Sequence, residues 1–535
     1  MAKYGNSRFS NVAAANIQRS VFNRSHNHKT TFDANNLIPV FVDEVLPGDT
    51  FKMSSTAFCR LATPIKPSMD NLKMDVHFFF VPNRLVWDNW EKFCGAQDDP
   101  ADSTDFLIPQ LDARAADAAA FENSIQDYMG IPKVLTDSPN ALLVNALPFR
   151  AYNLIWNEWY RDQNLQNSVT VDTSDTDLLS NYSLLPRGKR HDYFTSALPF
   201  PQKGEPVSLS LSGDANVTVG EEHTTTASQT MLMKRLDGTL PPSNLYLGTS
   251  DASGRVAEFD TYTGALGDSL HPTNLIAQLD DVTAVTINQL RQAFQLQKFL
   301  ERDARSGTRY IEVIKSHFGV TNPDFRLQRP EYLGGCHEDI RFTTIAQTTQ
   351  TLTDSTPQGN LAAMATVSGR KHAFNKSFTE HGFIIGLASV YADLTYQQGL
   401  NRFWQRETRV DHYWPVFAHL GEQEIYNSEI YAQGDNTVDK QIFGYQERYA
   451  EYRYHPNRIS GEFRSNATAS LDVWHYAEDF GALPVLNGAF IQNNAPVKRN
   501  SAVQSEPDLI ADFYFGLECV RAMPLYGTPG FVDHF

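Results

Sequence analysis

The chain of 535 residues has few cysteines and no long hydrophobic run. Its four cysteines are far apart and form no CxxC pair, which argues against a zinc site or a disulfide framework and favours a reducing compartment. No apolar stretch approaches the roughly 18 residues of a membrane helix. The first 20 residues contain no apolar segment typical of an export signal. We therefore expect a soluble protein, without a membrane span, that is made in the cytoplasm. The cysteines are Cys59, Cys94, Cys336 and Cys519.

Basic residues are outnumbered by acidic ones, and the net charge is −17. The net charge therefore argues against a protein that binds nucleic acid over its whole surface. Residues 1–32 are the exception, since they carry five positive charges and no acid. They are interpreted as a basic N-terminal arm that faces DNA, with a solvated, disordered terminus as the alternative. The basic residues of the arm are Lys3, Arg8, Arg19, Arg24 and Lys29.

Catalytic and metal-binding motifs are missing. The HExxH pattern fails because His337-Glu338 is followed by Asp339, Ile340 and Arg341, and no P-loop or GxSxG occurs. None of the 15 histidines lies in a cluster with ligand spacing. We predict no catalytic residues, no cofactor and no metal site, and hence not an enzyme.

The patterns that are present favour a β protein. The 27 prolines and 31 glycines are dispersed, and 12% of the residues are aromatic. Apolar residues alternate from Met74 to Phe80, as in a half-buried strand, and residues 383–390 form a continuous apolar run typical of a strand buried on both faces. Further strands are predicted at 471–476 and 512–520. Residues 149–165 have the apolar spacing of a helix.

Two segments have an unusual composition. Arg187, Lys189, Arg190 and His191 form a basic cluster that could face DNA or the carboxylates of a neighbour. Residues 208–281 are poor in large aliphatic side chains and rich in Gly, Thr, Ser and Asp, so they add little core. They are interpreted as an exposed insertion, or more simply as a tolerated long loop.

Residues 443–465 combine tyrosine and arginine at high density. These residue types are enriched in buried protein–protein contacts, so the segment is a candidate subunit interface. The alternative is an aromatic strand with self-compensated charge. The candidate interface residues are Tyr445, Arg448, Tyr449, Tyr452, Arg453, Tyr454 and Arg458.

The same segment, FGYQERYAEYRYHPNRISGEFRS, resembles the signature of the major capsid protein of microviruses, in the gokushovirus branch. Other blocks resemble that family from one end of the chain to the other. They are residues 19–51, 74–93, 147–166, 187–204, 301–320, 329–335 and 523–535. Residues 208–281 have no counterpart among these blocks.

The resemblance implies a mainly β fold, an eight-stranded antiparallel jelly roll with large loop insertions and a few short helices, here over residues 33–535. It implies a virion protein that assembles with copies of itself, in the cytoplasm of a bacterial host, into a T=1 icosahedral shell around circular single-stranded DNA. Implied partners are an internal scaffolding protein, a DNA pilot protein and, in some members, a small basic DNA-binding protein. A glycan-binding or glycan-active secreted or surface β protein is the alternative.

In this family the insertion at 208–281 forms protrusions at the three-fold axes, which implies a surface that recognises a host receptor. The candidate residues of this surface are Asp214, Glu221, Glu222, Tyr246, Asp251 and Tyr262.

Overall fold

The computed structural model describes residues 17–207, 287–351 and 357–526, and seven short strands between 216 and 278. The chain divides into two compact units. The first comprises Met1–Lys203 and Glu301–Phe535, and the second comprises Gly204–Leu300.

The fold of the described residues is mainly β. The strands are β1 (Ser20–Asn23), β2 (His26–Phe32), β3 (Ile38–Val45), β4 (Thr50–Leu61), β5 (Leu72–Pro82), β6 (Gln110–Asp112), β7 (Leu143–Asn145), β8 (Asn216–Val219), β9 (Met231–Arg235), β10 (Tyr246–Leu247), β11 (Thr249–Ser250), β12 (Arg255–Val256), β13 (Leu270–Pro272), β14 (Leu275–Gln278), β15 (Glu331–Ala346), β16 (Leu361–Ser377), β17 (Gly382–Ala392), β18 (Glu422–Tyr426), β19 (Ile442–Glu447) and β20 (Leu509–Arg521).

The α-helices are short, apart from the one that leads from the second unit into the first. They are α1 (Trp90–Phe93), α2 (Ala118–Phe121), α3 (Ile125–Tyr128), α4 (Leu147–Ile155), α5 (Ile287–Ser306), α6 (Tyr310–Phe318), α7 (Asn427–Ile430), α8 (Asn436–Asp439) and α9 (Gly488–Ile491).

The first unit is built on one antiparallel sheet with strand order β1-β20-β4-β16-β15-β5-β17-β3, to which β2 adds by pairing with β20. The sheet curls, because the rings of Phe41 on β3 and Phe515 on β20 lie 5.1 Å apart although six places in the order separate their strands. The predicted mainly β jelly-roll class is confirmed. The described residues place nine strands in this sheet, where eight were predicted.

Strands β5 and β17 lie between two cores, because successive side chains of a strand point to opposite faces of the sheet. Phe78 on β5 points into the core enclosed by the sheet, whereas Phe79 packs in a second core with helix α4. Every residue of β17 is buried, as predicted for a strand covered on both faces. A third core, around Phe194 and Phe443, lies beneath the β18–β19 hairpin.

Some sequence-based predictions need correction. The segment 471–476 is not a strand, because Asp472–Trp474 forms a 3-10 turn. The helix predicted at 149–165 begins earlier and ends as α4, followed by a single π-helical turn at Trp156–Tyr160. Residues 20–32, assigned to the basic arm, contain β1 and β2, which pair with β20.

The second unit contains three small antiparallel sheets among its described residues. They are β10-β9-β13, β8-β14 and β11-β12. The predicted insertion at 208–281 lies within this unit.

Candidate functional site

The tyrosine- and arginine-rich segment begins as part of a core. Phe443 on β19 is buried in the third core, and Tyr445 exchanges two backbone hydrogen bonds of 2.8 Å with Leu198. Further along, the ring of Tyr454 stacks on Tyr193 with centroids 5.4 Å apart. These contacts anchor the first half of the segment, from Phe443 to Tyr454, inside the first unit.

Between these anchors, Tyr449 supports a neighbouring loop. Its side chain is buried, and its backbone adopts the left-handed region with φ of 65°. The Tyr449 hydroxyl donates a hydrogen bond of 3.3 Å to the carbonyl of His412. The ring meets Tyr413 edge-on at 5.0 Å. The segment therefore fixes the position of residues around 412.

Tyr452 and Arg448 make further contacts to the same loop. The hydroxyl of Tyr452 accepts a hydrogen bond of 3.1 Å from the backbone N–H of Tyr413. The guanidinium of Arg406 lies 4.2 Å from the centre of the Tyr452 ring, a cation–π distance. The guanidinium of Arg448 lies 5.9 Å from the centre of the Phe417 ring, and its backbone N–H donates to the carbonyl of Gly421, just after the loop, at 3.2 Å. The loop is thus held along its length.

Buried ion pairs strengthen this attachment. Arg402 donates to Glu429 at 3.0 Å, and Arg406 donates to Glu451 at 3.3 Å. Burial raises the pKa of Glu429, and Arg402 opposes that shift. Burial alone would lower the pKa of Arg402, but Glu429 and Tyr193 outweigh it and the net shift is upward. Removal of one partner would leave an uncompensated buried charge, so the pairs oppose local opening of the loop.

We call residues 402–420 the aromatic loop. This loop carries an exposed apolar surface. It contains three 3-10 turns and, in the described structure, no α-helix or strand. Trp404 is 70% exposed and Val416 is 84% exposed. A cluster of this kind, rimmed by arginine, is characteristic of a protein-interaction surface. Its other exposed apolar side chains are Phe403, Val410, Tyr413, Trp414 and Leu420.

Comparison with known proteins assigns a family. The capsid protein (F protein) family matches residues 10–531 of the chain. The chain belongs to that capsid protein family. It is 49% identical to the capsid protein VP1 of Bdellovibrio phage phiMH2K, over 98% of both chains. It is 44% identical to the capsid protein VP1 of Chlamydia phage 1 and 38% identical to that of Spiroplasma virus 4, in each case over 98% of this chain and 97% of the relative.

These matches confirm the predicted resemblance to microvirus capsid proteins and identify the chain as the major capsid protein of a microvirus-like phage. A capsid protein is a component of the virion. The relatives are structural proteins, which agrees with the prediction that the chain is not an enzyme. The matches favour the capsid interpretation over a glycan-active protein.

The capsid chain exposes only part of its predicted interface. Tyr452, Arg453 and Arg458 are exposed, whereas Tyr449 and Tyr454 pack inside the unit. Arg453 pairs with Glu447 at 2.7 Å. Sequence reasoning missed the aromatic loop, which has neither strand nor helix period. The available signal was the density of Trp, Tyr and Phe among polar residues in FWQRETRVDHYWPVFAHL.

The other candidate residues of the capsid chain are dispersed. Lys3 and Arg8 of the arm lie outside the described residues. Arg19 precedes β1, Arg24 pairs with Asp43 at 2.6 Å, and Lys29 pairs with Asp512 at 3.0 Å. Tyr246 lies in β10, whereas the other predicted host-recognition residues lie outside the described residues, namely Asp214, Glu221, Glu222, Asp251 and Tyr262.

Two kinds of site are absent from the part of the chain that the structure describes. It contains no group of three or more His, Cys, Asp or Glu side chains that could hold a metal ion. It also contains no helix with the length and apolar character needed to cross a bilayer.

Proposed function

We propose that this capsid protein self-assembles into a T=1 icosahedral shell around a circular single-stranded DNA genome, and that the aromatic loop is one of its subunit contacts. The observation that carries the assembly role is the exposure of seven large apolar side chains on a loop fixed by buried ion pairs. A second copy of the chain is the proposed occupant, since members of this family are capsid subunits.

Seven large apolar side chains of the aromatic loop are exposed, whereas Tyr449 and Glu429, which hold the loop, are buried. Heterologous contacts that close into rings require surfaces with defined geometry. The aromatic loop meets this requirement, because Tyr449 and the pair Arg402–Glu429 anchor it. Trp and Tyr side chains on a fixed loop lose few rotamers upon association, which makes them effective anchors.

The test is assembly of a loop variant. Trp404→Gln combined with Val416→Gln should lower the yield of particles strongly, while the melting temperature of isolated subunits stays near that of the native chain. Leu107→Gln with Met69→Gln is a matched control, because both side chains are highly exposed elsewhere on the first unit. Electron microscopy and gel filtration separate particles from subunits. Normal particles from the loop variant would exclude the aromatic loop as a contact, and native chain that forms no uniform icosahedral particles would exclude the shell.

The basic arm is proposed to contact the genome inside the shell. Arg24 and Lys29 already have carboxylate partners, so we assign the genome contact mainly to Lys3, Arg8 and Arg19. Replacing these three by glutamine should lower packaged DNA with unchanged particle geometry, whereas Arg24→Gln with Lys29→Gln should have the smaller effect. Normal DNA content in the first variant would exclude a genome contact by the arm.

The insertion at 208–281 is proposed to form the three-fold protrusion and to recognise a host receptor. Support comes from its polar composition and from the compact unit Gly204–Leu300 in which it lies. A short Gly-Ser linker in its place should permit particles and abolish adsorption to host cells. Shell failure would make the segment structural, and normal adsorption would exclude recognition.

The remaining proposed interactions follow from the family. They are an internal scaffolding protein, a DNA pilot protein and a small basic DNA-binding protein, with assembly in the bacterial cytoplasm. Co-purification of immature particles from infected cells would test each of these partners.

A further inference from the structure

One surface of the large sheet is open to solvent. Strands β20, β4, β16 and β15 bury one face in the core, where Ala57, Cys59 and Phe513 are packed. The side chains between these positions point the other way. Phe58 is 50% exposed on this side. We call this side the open face and define it by Phe58, Arg60, Arg341, Arg370, Ile510 and Tyr514.

The register of the strands places these residues close together. Ile510 pairs with Arg60, Arg60 pairs with Thr366, and Thr366 pairs with Arg341, which makes one row across four strands. A second row runs from Tyr514 through Thr56 to Arg370.

Phe58 lies between these two rows, beside Asp512 and Ser368. Adjacent strands are about 4.8 Å apart, and residues two positions apart along a strand are about 6.7 Å apart. Phe58 is therefore about 7–8 Å from Arg60 and Arg370 and about 12 Å from Arg341, whereas Tyr514 is about 10 Å from Arg370.

The open face has uncompensated positive charge. Of its three acids, Asp512 and Glu518 pair with Lys29 at 3.0 Å and with Lys52 at 3.5 Å, and Asp339 lies 3.8 Å from His337. Among the described residues, the side chains of Arg60, Arg341 and Arg370 have no hydrogen-bond or ion-pair partner. Three free guanidinium groups on a chain of net charge −17 form a local positive patch. This patch is electrostatically complementary to phosphate.

Around Phe58 the open face consists mainly of hydroxyl and amide side chains, and the exposed Met364 and Ile345 lie apart from it, towards one end of β16 and β15. Thr31, Ser54, Thr56, Ser368 and Asn375 separate the three large apolar residues. The face therefore lacks the contiguous apolar centre that a subunit contact needs, in contrast to the aromatic loop. Separate aromatic rings within a positive, polar surface are the arrangement that binds single-stranded nucleic acids, because each ring stacks on one base.

We propose that the open face binds single-stranded nucleic acid. Phe58 and Tyr514 stack on bases, and Arg60, Arg341 and Arg370 contact phosphates. This inference rests on the proposed shell around single-stranded DNA and adds a binding site in the sheet to the arm. Base stacking and phosphate contact are both tolerant of sequence, so the site accepts many sequences.

The experiment measures binding of full-length, unassembled subunits to a fluorescein-labelled oligothymidine of about 15 nucleotides by fluorescence anisotropy. Salt is varied between about 50 and 200 mM. Phe58→Ala and Tyr514→Ala should each weaken binding by about fivefold or more. Arg60→Gln, Arg341→Gln and Arg370→Gln together should reduce the slope of log affinity against log salt by about 2. A duplex of equal length should compete poorly, because its bases are already stacked.

Matched controls are Phe325→Ala and Arg326→Gln, two exposed residues in the turn before β15. Their affinity and salt slope should equal those of the native chain. Phe58→Leu retains an apolar side chain without a ring, so it separates lost stacking from lost stability. Its binding should fall like that of Phe58→Ala, with native melting behaviour.

The outcomes are distinct. Native affinity and slope in the open-face variants would overturn the inference, whatever their particles look like. Variants that bind the oligonucleotide normally but form no particles would also overturn it and would make the face a subunit contact. Native subunits that bind through the open face but never form particles would overturn the proposed shell and leave the binding site in place.

Discussion

Arg187 forms a buried ion pair with Asp75, with Nη2 and Oδ2 2.7 Å apart. The same guanidinium donates to the hydroxyl of Ser389 at 2.6 Å, and the other oxygen of Asp75 lies 2.6 Å from Nδ1 of His337. Burial opposes ionisation of Asp75, yet Arg187 and His337 hold its pKa below the usual value. Arg187 therefore connects the segment after α4 to strands β5 and β17.

Removal of this arginine should destabilise the subunit. Arg187→Met leaves the Asp75 carboxylate buried without its main partner, so the free energy of unfolding should fall by about 3–5 kcal/mol. Arg190→Gln is the matched control, because it alters an exposed residue of the same basic cluster. Chemical denaturation of isolated subunits measures both. Equal stability of the Arg187→Met variant and the native chain would contradict a structural role for the pair.

The fate of this basic cluster illustrates what sequence can predict. The alternation from Met74 to Phe80 and the apolar run at 383–390 predicted β5 and β17, because burial on one or both faces leaves a direct pattern. Composition could not assign Arg187 and Lys189. Their partners, Asp75 and Glu478, are more than 100 and 280 residues away in the sequence, and only the fold brings them together.

The candidate site was likewise only partly predictable from the sequence. High Tyr and Arg content predicts a subunit interface at 443–465, and that segment contacts the proposed assembly surface. The exposed residues themselves lie on the aromatic loop, whose irregular backbone leaves no period in the sequence. The burial of Tyr449 and the partial burial of Tyr454 depend on tertiary contacts, so composition could not distinguish them from the exposed Tyr452.

Acid should destabilise the subunit through His77. Burial lowers the pKa of His77 to about 4, although Asp75 acts in the opposite direction. The unfolded chain takes up this proton near the ordinary value of 6.5, whereas the folded chain resists until about 4. Stability should therefore fall as pH decreases from about 6.5 to about 4, by up to about 3 kcal/mol. His77→Gln should reduce this pH dependence in thermal melts, and His455→Gln, at an exposed site, should retain it. A native pH profile in His77→Gln would assign the effect to other groups.

Asp508 should contribute with the opposite sign. Burial raises its pKa to about 6, and the backbone N–H of Ala34 donates to it at 3.1 Å. Since the folded chain holds this proton more tightly than the unfolded chain, stability falls as pH rises from about 4 to about 6 and stays lower above that range. Asp508→Asn should therefore raise the free energy of unfolding at neutral pH by up to about 3 kcal/mol. Asp105→Asn, at an exposed site, should change it little. Lower stability of Asp508→Asn at neutral pH would mean that the charged form is favoured.

Tyr449 and Arg453 should separate folding from assembly. Tyr449→Ala removes a buried ring and its contacts to His412 and Tyr413, so the subunit should lose about 3–5 kcal/mol of stability. Tyr449→Phe retains the ring and loses one hydrogen bond, at a cost of about 1 kcal/mol. Arg453→Ala affects an exposed side chain paired with Glu447, so subunit stability should change by less than about 1 kcal/mol.

The comparison requires two measurements on each variant, the melting temperature of isolated subunits and the yield of particles. We expect 443–465 both to support and to border a subunit contact. Tyr449→Ala should then lower the melting temperature of the subunit. Arg453→Ala should lower the yield of particles while the melting temperature stays native. The physical reason is that Tyr449 acts through the loop it holds, whereas Arg453 is exposed and, apart from its pair with Glu447, is available to a neighbouring subunit. Native stability with lost assembly in Tyr449→Ala would show that its ring contacts the neighbour directly. Normal particle yield in Arg453→Ala would restrict the contact to the aromatic loop and leave the segment as its internal support.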